Sequence, residues 1–137
     1  MKPAFSFPIR VYWEDTDAGG VVYHASYLRF LERARTEWLR ALGAGQQELR
    51  ERGDIVLVVR GMRLEFHKPA RLDDELQASV VLLERRRASL RFAQQVTRGG
   101  EVLVEAEVRA ACLVASSFKP RALPGWLLEA LTPPESD

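Results

Sequence analysis

The stretch WEDTDAGGVVYHASYLRFLERARTEW, residues 13–38, joins a short acidic segment to an amphipathic one. In its second half, apolar residues recur at three- and four-residue spacing with charged residues between them, which is typical of a helix that buries one face. We predict a helix from His24 to Leu42 that ends at Gly43, because a glycine tolerates the left-handed conformation of a helix end. Its apolar face consists of Tyr27, Leu28, Leu31, Ala34, Trp38 and Leu42.

The rest of the chain alternates apolar and polar residues, as strands do. One strand is predicted before the helix, in FPIRVYWE, and about four after it: residues 7–14, 62–66, 76–82, 90–96 and 102–108. The pair Gly99–Gly100 in TRGGEV predicts a hairpin turn between the last two strands, since glycines tolerate positive φ. LPGWLLEAL, residues 123–131, predicts a short terminal helix, followed by a frayed acidic end. This order favours an α+β fold in which an antiparallel sheet wraps around one long helix.

Size and composition exclude several classes of protein. At 137 residues with 47% hydrophobic residues, the chain fits a single globular domain, residues 1–137. A net charge of +1 gives no general attraction to nucleic acid, and no apolar run is long enough to span a membrane. No export signal is recognisable, so we expect a cytoplasmic protein. The single cysteine, Cys112, and the two separated histidines argue against a metal site.

Two predicted strands are apolar on both of their faces, at residues 80–83 and 110–113. A single helix covers only one face of a sheet, so part of the outer face is expected to meet another subunit. The sequence therefore predicts at least a homodimer.

The acidic segment holds the first candidate site. Asp15 is expected to cap the helix or shape the turn. Asp17 is followed by Gly19 and Gly20, whose backbone N–H groups can approach a ligand closely beside the positive end of the helix. A carboxylate beside such donors can attack an acyl carbon, or activate water against it, while the donors hold the developing oxyanion. His24, at the helix start, is a candidate catalyst, although a histidine there is more often a cap or a packing residue.

Two further features have weaker support. His67, at a strand end, has no acidic or cysteine residue directly beside it in the sequence, and we expect it to be structural rather than a ligand contact. The run ERRRAS, residues 84–89, is either solvated surface or a phosphate-binding cluster, because arginines hold phosphates through paired, charge-assisted hydrogen bonds.

YWEDTDAGGVVYHASYLRFLERARTEWL resembles the motif of the hotdog-fold acyl-CoA thioesterases of the 4-hydroxybenzoyl-CoA thioesterase type, and most closely their tol-pal-associated branch. EFHKPARLDDEL and SSFKPRALPGWL extend the resemblance over nearly the whole chain. It implies a hotdog fold, in which five antiparallel strands wrap the long helix. It also implies homodimers, often paired into tetramers, with active sites at the dimer interface.

The resemblance assigns roles to individual residues. The family's catalytic aspartate falls on Asp17, and its oxyanion donor, a backbone N–H, falls on His24. In the 4-hydroxybenzoyl-CoA enzyme the latter position is tyrosine, which argues against that substrate here. Two positions of a basic triplet for coenzyme A phosphates fall on Arg86 and Arg87. The third is Ala88, which implies either a looser contact with the phosphates or a shift of that contact to Arg85.

The sequence thus predicts a thioesterase that converts acyl-CoA to free acid and coenzyme A without a separate cofactor. The catalytic residues would be Asp17, as nucleophile or general base, and His24. One alternative is a dehydratase or hydratase on the same fold, in which His24 and an acid exchange protons. The other is a non-catalytic module that binds an acyl carrier protein or another protein.

Overall fold

The computed structural model describes residues 5–131, which form one five-stranded antiparallel sheet with three α-helices. The strands are β1 (Phe5–Arg10), β2 (Ile55–Phe66), β3 (Glu75–Arg85), β4 (Ser89–Arg98) and β5 (Glu101–Val114). The helices are α1 (His24–Ala41), α2 (Gln46–Gly53) and α3 (Gly125–Ala130), and Trp13–Asp15 form a 3-10 turn. The predicted α+β hotdog fold is confirmed.

The strands lie in the order β1-β3-β4-β5-β2, with every neighbouring pair antiparallel. Helix α1 packs against the inner face of this sheet. Its buried side chains include Tyr27, Phe30, Leu31, Ala34 and Trp38, and burial of each large one contributes about 1.5–3 kcal/mol. This long apolar stripe is what the sheet curves around.

Helix α1 follows the predicted bounds to within one residue, and Gly43 after it has a φ of +75°. Its apolar face is shifted from the predicted one. Leu28 is 41% exposed, whereas Phe30, which was not assigned to the face, is fully buried.

Two corrections concern the segment after α1. Helix α2 was not predicted, because its sequence QQELRERG is mostly polar and shows no apolar face. Leu49 is its one buried residue. Strand β2 begins at Ile55, seven residues before the predicted start. The continuous apolar run of residues 55–59 does not alternate, so the period-2 pattern was missing there.

The predicted end of the first strand, at Glu14, was wrong. It stops at Arg10, and Trp13–Asp15 turn instead of extending, because the Asp15 carboxylate draws the Tyr12 N–H into the turn. The predicted hairpin between β4 and β5 is confirmed, with φ values of +55° at Gly99 and +86° at Gly100. The predicted terminal helix is confirmed as α3, and the acidic end after it lies outside the described residues.

The outer face of the sheet is mixed in character. Val81 and Leu83 on β3 and Leu113 on β5 are half-buried there. Cys112 points into the core, and its burial raises the pKa of the thiol. Within residues 5–131, no helix is both long and apolar enough to cross a membrane, and no cluster of three ligands suited to a metal ion occurs.

Candidate active site

Asp15 organises the turn that leads to the candidate site. Its side chain is buried, with 2% of the residue exposed, and Oδ2 accepts a hydrogen bond from the Tyr12 N–H at 2.8 Å. Its backbone carbonyl accepts a hydrogen bond from the Tyr23 N–H at 2.9 Å. Asp15 therefore shapes the turn, as predicted, and ties it to the residue that precedes α1.

Asp17 lies on the exposed loop between that turn and the helix. The loop closes on itself through the Asp17 N–H, which donates to the Val21 carbonyl at 2.9 Å. The Gly19 N–H donates to Asp17 Oδ1 at 2.8 Å, and the Gly20 N–H donates to the Asp17 carbonyl at 3.0 Å. The turn therefore orients the Asp17 carboxylate.

These bonds correct one expectation. The glycine N–H groups were expected to face a ligand, but both donate to Asp17 itself. The glycines serve the geometry of the turn instead. Gly20 has a φ of +79°, and a Cβ on Gly19 would lie 3.1 Å from Asp17 Oδ1.

The start of α1 supplies the free donors. His24 is the first helical residue, and no side chain caps the helix. The first N–H groups of a helix have no partner within it, and no described residue accepts a hydrogen bond from the His24 N–H. An anion or a developing oxyanion placed there would gain both the hydrogen bond and the positive end of the helix dipole.

The His24 side chain packs against Phe66, at the end of β2, with the ring centroids 4.7 Å apart. These two rings border a cavity of about 190 Å³ between residues 21–27 and residues 66–69. Tyr27 closes its floor: the hydroxyl accepts a hydrogen bond from the Ala70 N–H at 3.0 Å, and burial raises the pKa of the phenol. The cavity lining combines the buried Val22 and Tyr27 with the exposed His24, His67 and Lys68.

His67 lines the same cavity as His24, a placement that the sequence reasoning missed. Its Nε2 lies 2.8 Å from Glu105 Oε1 on β5, an acidic partner 38 residues away in the sequence. The pairing of β2 with β5, which sets Glu65 opposite Glu105, brings the two together. The contact follows from the pairing of β2 with β5. The sequence pattern does not determine which strands pair, so it gave no signal for this contact.

The three arginines of residues 85–87 make different contacts. Arg85 Nη1 donates to the Leu128 carbonyl at 2.6 Å, so this side chain packs onto α3. Arg86 pairs with Glu84 at 3.2 Å and lines a cavity on the outer face of the sheet. Arg87 does not line that cavity, and its backbone carbonyl accepts a hydrogen bond from the Leu123 N–H at 2.8 Å.

Known proteins resemble this chain in sequence over about nine tenths of its length. The family model of the thioesterase-like superfamily matches residues 11–131. The chain is 47% identical over 124 residues to the acyl-CoA thioesterase YbgC of Haemophilus influenzae, with 90% of this chain and 91% of that protein covered. It is 50% identical over 121 residues to the acyl-CoA thioester hydrolase YbgC of Escherichia coli O6:H1, with 88% and 90% covered.

A solved structure of a probable thioesterase also resembles this chain in its fold. The probable thioesterase from Bartonella henselae superposes with a TM-score of 0.83 at 38% identity, over 88% of this chain and all of that one. The loop that carries Asp17, the open start of α1 and the adjoining cavity all fall within the matched residues. The chain belongs to the thioesterase-like superfamily.

Proposed function

We propose that this protein hydrolyses acyl-CoA thioesters to a free carboxylic acid and coenzyme A. The sequence relatives over about 90% of the chain support the reaction class. The single structural observation that supports the location of the chemistry is the oriented Asp17 carboxylate, close in sequence to the uncapped N–H of His24.

In the proposed reaction, the thioester carbonyl oxygen lies at the start of α1. The Asp17 carboxylate either attacks the carbonyl carbon or removes a proton from a water molecule that attacks it. The His24 N–H would stabilise the oxyanion that forms, because an unpaired N–H at the start of a helix can donate a hydrogen bond to a developing negative charge. The C–S bond then breaks, the thiolate of coenzyme A leaves and takes up a proton, and the acid retains one oxygen atom from water.

The two routes are distinguished by where the oxygen goes. In a single turnover in ¹⁸O-water, the water-activated route labels only the product. The covalent route forms an anhydride with Asp17. Attack of water at the Asp17 carbonyl of this anhydride places label in the aspartate over repeated turnovers, whereas attack at the acyl carbonyl labels only the product. Label in Asp17 would therefore establish the covalent route, and an unlabelled Asp17 after many turnovers would exclude an anhydride that opens at the aspartate.

The test of the function is release of free thiol from a panel of acyl-CoAs by wild type, Asp17→Asn and Glu14→Gln. We expect Asp17→Asn to lose at least about a hundredfold in kcat, close to 3 kcal/mol of transition-state stabilisation. Glu14→Gln, which removes an exposed carboxylate from the same segment, is the matched control and should retain activity. Absence of thiol release by wild type would contradict the proposed function, and formation of an unsaturated acyl-CoA without thiol would favour a dehydratase.

The assembly is part of the proposal. Strand β2 is 12 residues long and forms one edge of the sheet, where its backbone groups can pair with a second chain. We propose a homodimer, and a pair of dimers through the outer face. Coenzyme A is part of the substrate, and no further cofactor is proposed. Acyl carrier protein as an alternative acyl donor and the cytoplasmic location stay predictions from the sequence.

A further inference from the structure

A cavity of about 360 Å³ lies between the second half of α1, the start of α2 and the inner face of the sheet. Most of its wall is apolar and includes Leu39, Leu57, Leu90 and Phe92, whereas its polar lining consists of Glu32, Arg35, Thr36 and Gln46. This volume, with a largely apolar wall and a few convergent polar groups, is typical of a site for a small ligand. We call it the interhelix cavity.

The space exists because the two helices cover different parts of the sheet. Helix α1 packs against β1, β3 and β4, whereas α2 packs against β2. Val59 on β2 lies opposite the buried Ala110 on β5, so both side chains point to the inner face. Val59 is nevertheless 40% exposed. An apolar part of the inner face therefore stays open between the helices.

Gln46, the first residue of α2, lines this cavity and carries an unsatisfied acceptor. Its Nε2 donates to the Leu57 carbonyl at 3.4 Å, whereas its Oε1 is buried and has no hydrogen-bond partner among residues 5–131. A buried acceptor without a donor is unfavourable. A ligand that donates a hydrogen bond to Oε1 would remove this cost.

Arg35 supplies donors from the α1 side of the cavity. Its Nη1 donates to Gln94 Oε1 at 3.1 Å, which is the one hydrogen bond of this guanidinium within the described part of the chain. A guanidinium has five N–H groups, so donors remain for a ligand. The cavity thus offers both donors and an acceptor. A hydroxyl group suits both, because it donates one hydrogen bond and accepts others, whereas a carboxylate only accepts.

One flank of α1 joins this cavity to the candidate catalytic centre. Glu32, Arg35 and Leu39 recur at three- and four-residue spacing, which places them on one side of the helix. The same spacing continued towards the start of the helix reaches Leu28 and then His24. Leu28 is 41% exposed, so this flank offers an apolar surface between the start of α1 and the cavity.

The length of this flank sets the size of an acyl group that could reach the cavity. At a rise of 1.5 Å per residue, Glu32 lies about 12 Å along the helix axis from His24, and Thr36 about 18 Å. An extended carbon chain with bonds of about 1.5 Å advances about 1.25 Å per carbon. A chain of about 10–14 carbons therefore reaches from a thioester carbonyl at the start of α1 to the cavity.

We propose that the interhelix cavity binds a hydroxyl group near the far end of an acyl chain of about 10–14 carbons, with Gln46 as acceptor and Arg35 as donor. This specificity rests on the proposed function, since the acyl chain is that of the thioester substrate. The methylene groups lie along Leu28 and the apolar wall of the cavity. A chain that ends in a methyl group leaves both polar groups without a partner and is the poorer substrate.

The test compares hydrolysis of 12-hydroxydodecanoyl-CoA and tridecanoyl-CoA, in which a methyl group replaces the hydroxyl. We expect wild type to favour the hydroxylated substrate by about tenfold in kcat/KM. Gln46→Met removes the acceptor at similar side-chain length and should abolish this preference. Gln47→Met is the matched control and should keep the preference, because Gln47 is the next residue of α2, is exposed and bonds Glu51 at 3.3 Å.

A shorter pair of substrates locates the effect along α1. The chains of 6-hydroxyhexanoyl-CoA and heptanoyl-CoA do not reach the cavity, so wild type should hydrolyse them without preference. A hydroxyl preference of the same size in this pair would overturn the proposal, because the hydroxyl would then be bound nearer the start of α1. Equal rates for the long pair in wild type, or a preference that persists in Gln46→Met, would also overturn it.

Thioether analogues separate this proposal from the proposed function. The compounds 12-hydroxydodecyl-CoA and tridecyl-CoA lack the thioester carbonyl and cannot be hydrolysed, so titration calorimetry measures their Kd without turnover. We expect the hydroxylated analogue to bind wild type about tenfold more tightly, and Gln46→Met to bind the two equally. If wild type hydrolyses no acyl-CoA, the proposed function fails and this binding difference alone decides on the cavity. Equal Kd values in wild type would show that the cavity does not recognise the hydroxyl, whether it stays empty or is filled by a second copy of the chain.

Discussion

Two adjacent glycines allow the orientation of Asp17 to be separated from the stability of its loop. Gly20 has a φ of +79° and open space where a methyl group would lie, so Gly20→Ala costs only backbone strain, about 1–2 kcal/mol. Gly19 is not in the left-handed region, but a methyl group there would lie 3.1 Å from Asp17 Oδ1. The same substitution therefore strains the backbone at one position and displaces the carboxylate at the other.

We expect Gly20→Ala to lower Tm by about 3–6 °C. Gly19→Ala should stay within about 0.5 kcal/mol of wild type, since loss of unfolded-state freedom offsets part of the contact. It should nevertheless lower kcat by about tenfold, because displacement of a reacting group by less than about 1 Å reduces catalysis strongly. Thermal unfolding by circular dichroism and thiol release on the same preparations measure both effects.

Gly20→Asn is the control, because asparagine adopts the left-handed conformation at lower cost than alanine and should recover part of the lost Tm. Full activity of Gly19→Ala at unchanged stability would refute the argument. It would mean that the position of the Asp17 carboxylate set by the Gly19 hydrogen bond is irrelevant to the reaction.

Two further predictions concern Tyr27, which lines the cavity beside α1, and Asp74, which directly precedes β3. Tyr27→Phe leaves the Ala70 N–H buried without its acceptor, so chemical denaturation should show a loss of about 1–3 kcal/mol, and an unchanged midpoint would contradict this. For Asp74, the cost of burial is outweighed by hydrogen bonds from the Arg71 N–H and from Arg98, so its pKa lies below the usual range. A lowered pKa stabilises the fold above the unfolded value, and this contribution is lost as pH falls through the folded value. The stability difference between wild type and Asp74→Asn, about 1 kcal/mol at pH 7 after solvent screening, should therefore shrink below about pH 4, and a constant difference would exclude this role.

The features that the sequence predicted well are local ones. The spacing of Tyr27, Leu31 and Trp38 within a few turns defines a helix face, because neighbours at three and four residues meet on one side. The hairpin at Gly99–Gly100 follows from the positive φ that glycine tolerates. Helix α2 was not predicted, because its stability comes from the packing of Leu49 against the rest of the fold and not from a periodic apolar face of its own.

The candidate catalytic loop was predictable for the same reason. Asp17, Gly19 and His24 lie close together in the sequence, so their relation to a helix start can be read from the chain alone. What could not be read was the direction of the glycine N–H groups. A short side chain such as that of Asp17 competes for nearby backbone donors, and here its carboxylate accepts the Gly19 N–H.

Contacts between strands were beyond the sequence because they depend on register. His67 meets Glu105 only because β2 pairs with β5 at one register, and a shift of one residue would send each side chain to the opposite face of the sheet. The row formed by Gly61, Arg109, Arg91 and Glu84 depends on three such pairings at once. Alternation in β5 places Arg109 on the outer face, but it cannot say which residues of β2 and β4 lie beside it. Adjacent residues of an extended segment, such as the arginines of residues 85–87, point in alternate directions, whereas residues opposite one another on paired strands point the same way. A run of like residues in the sequence therefore does not show that their side chains meet in the fold.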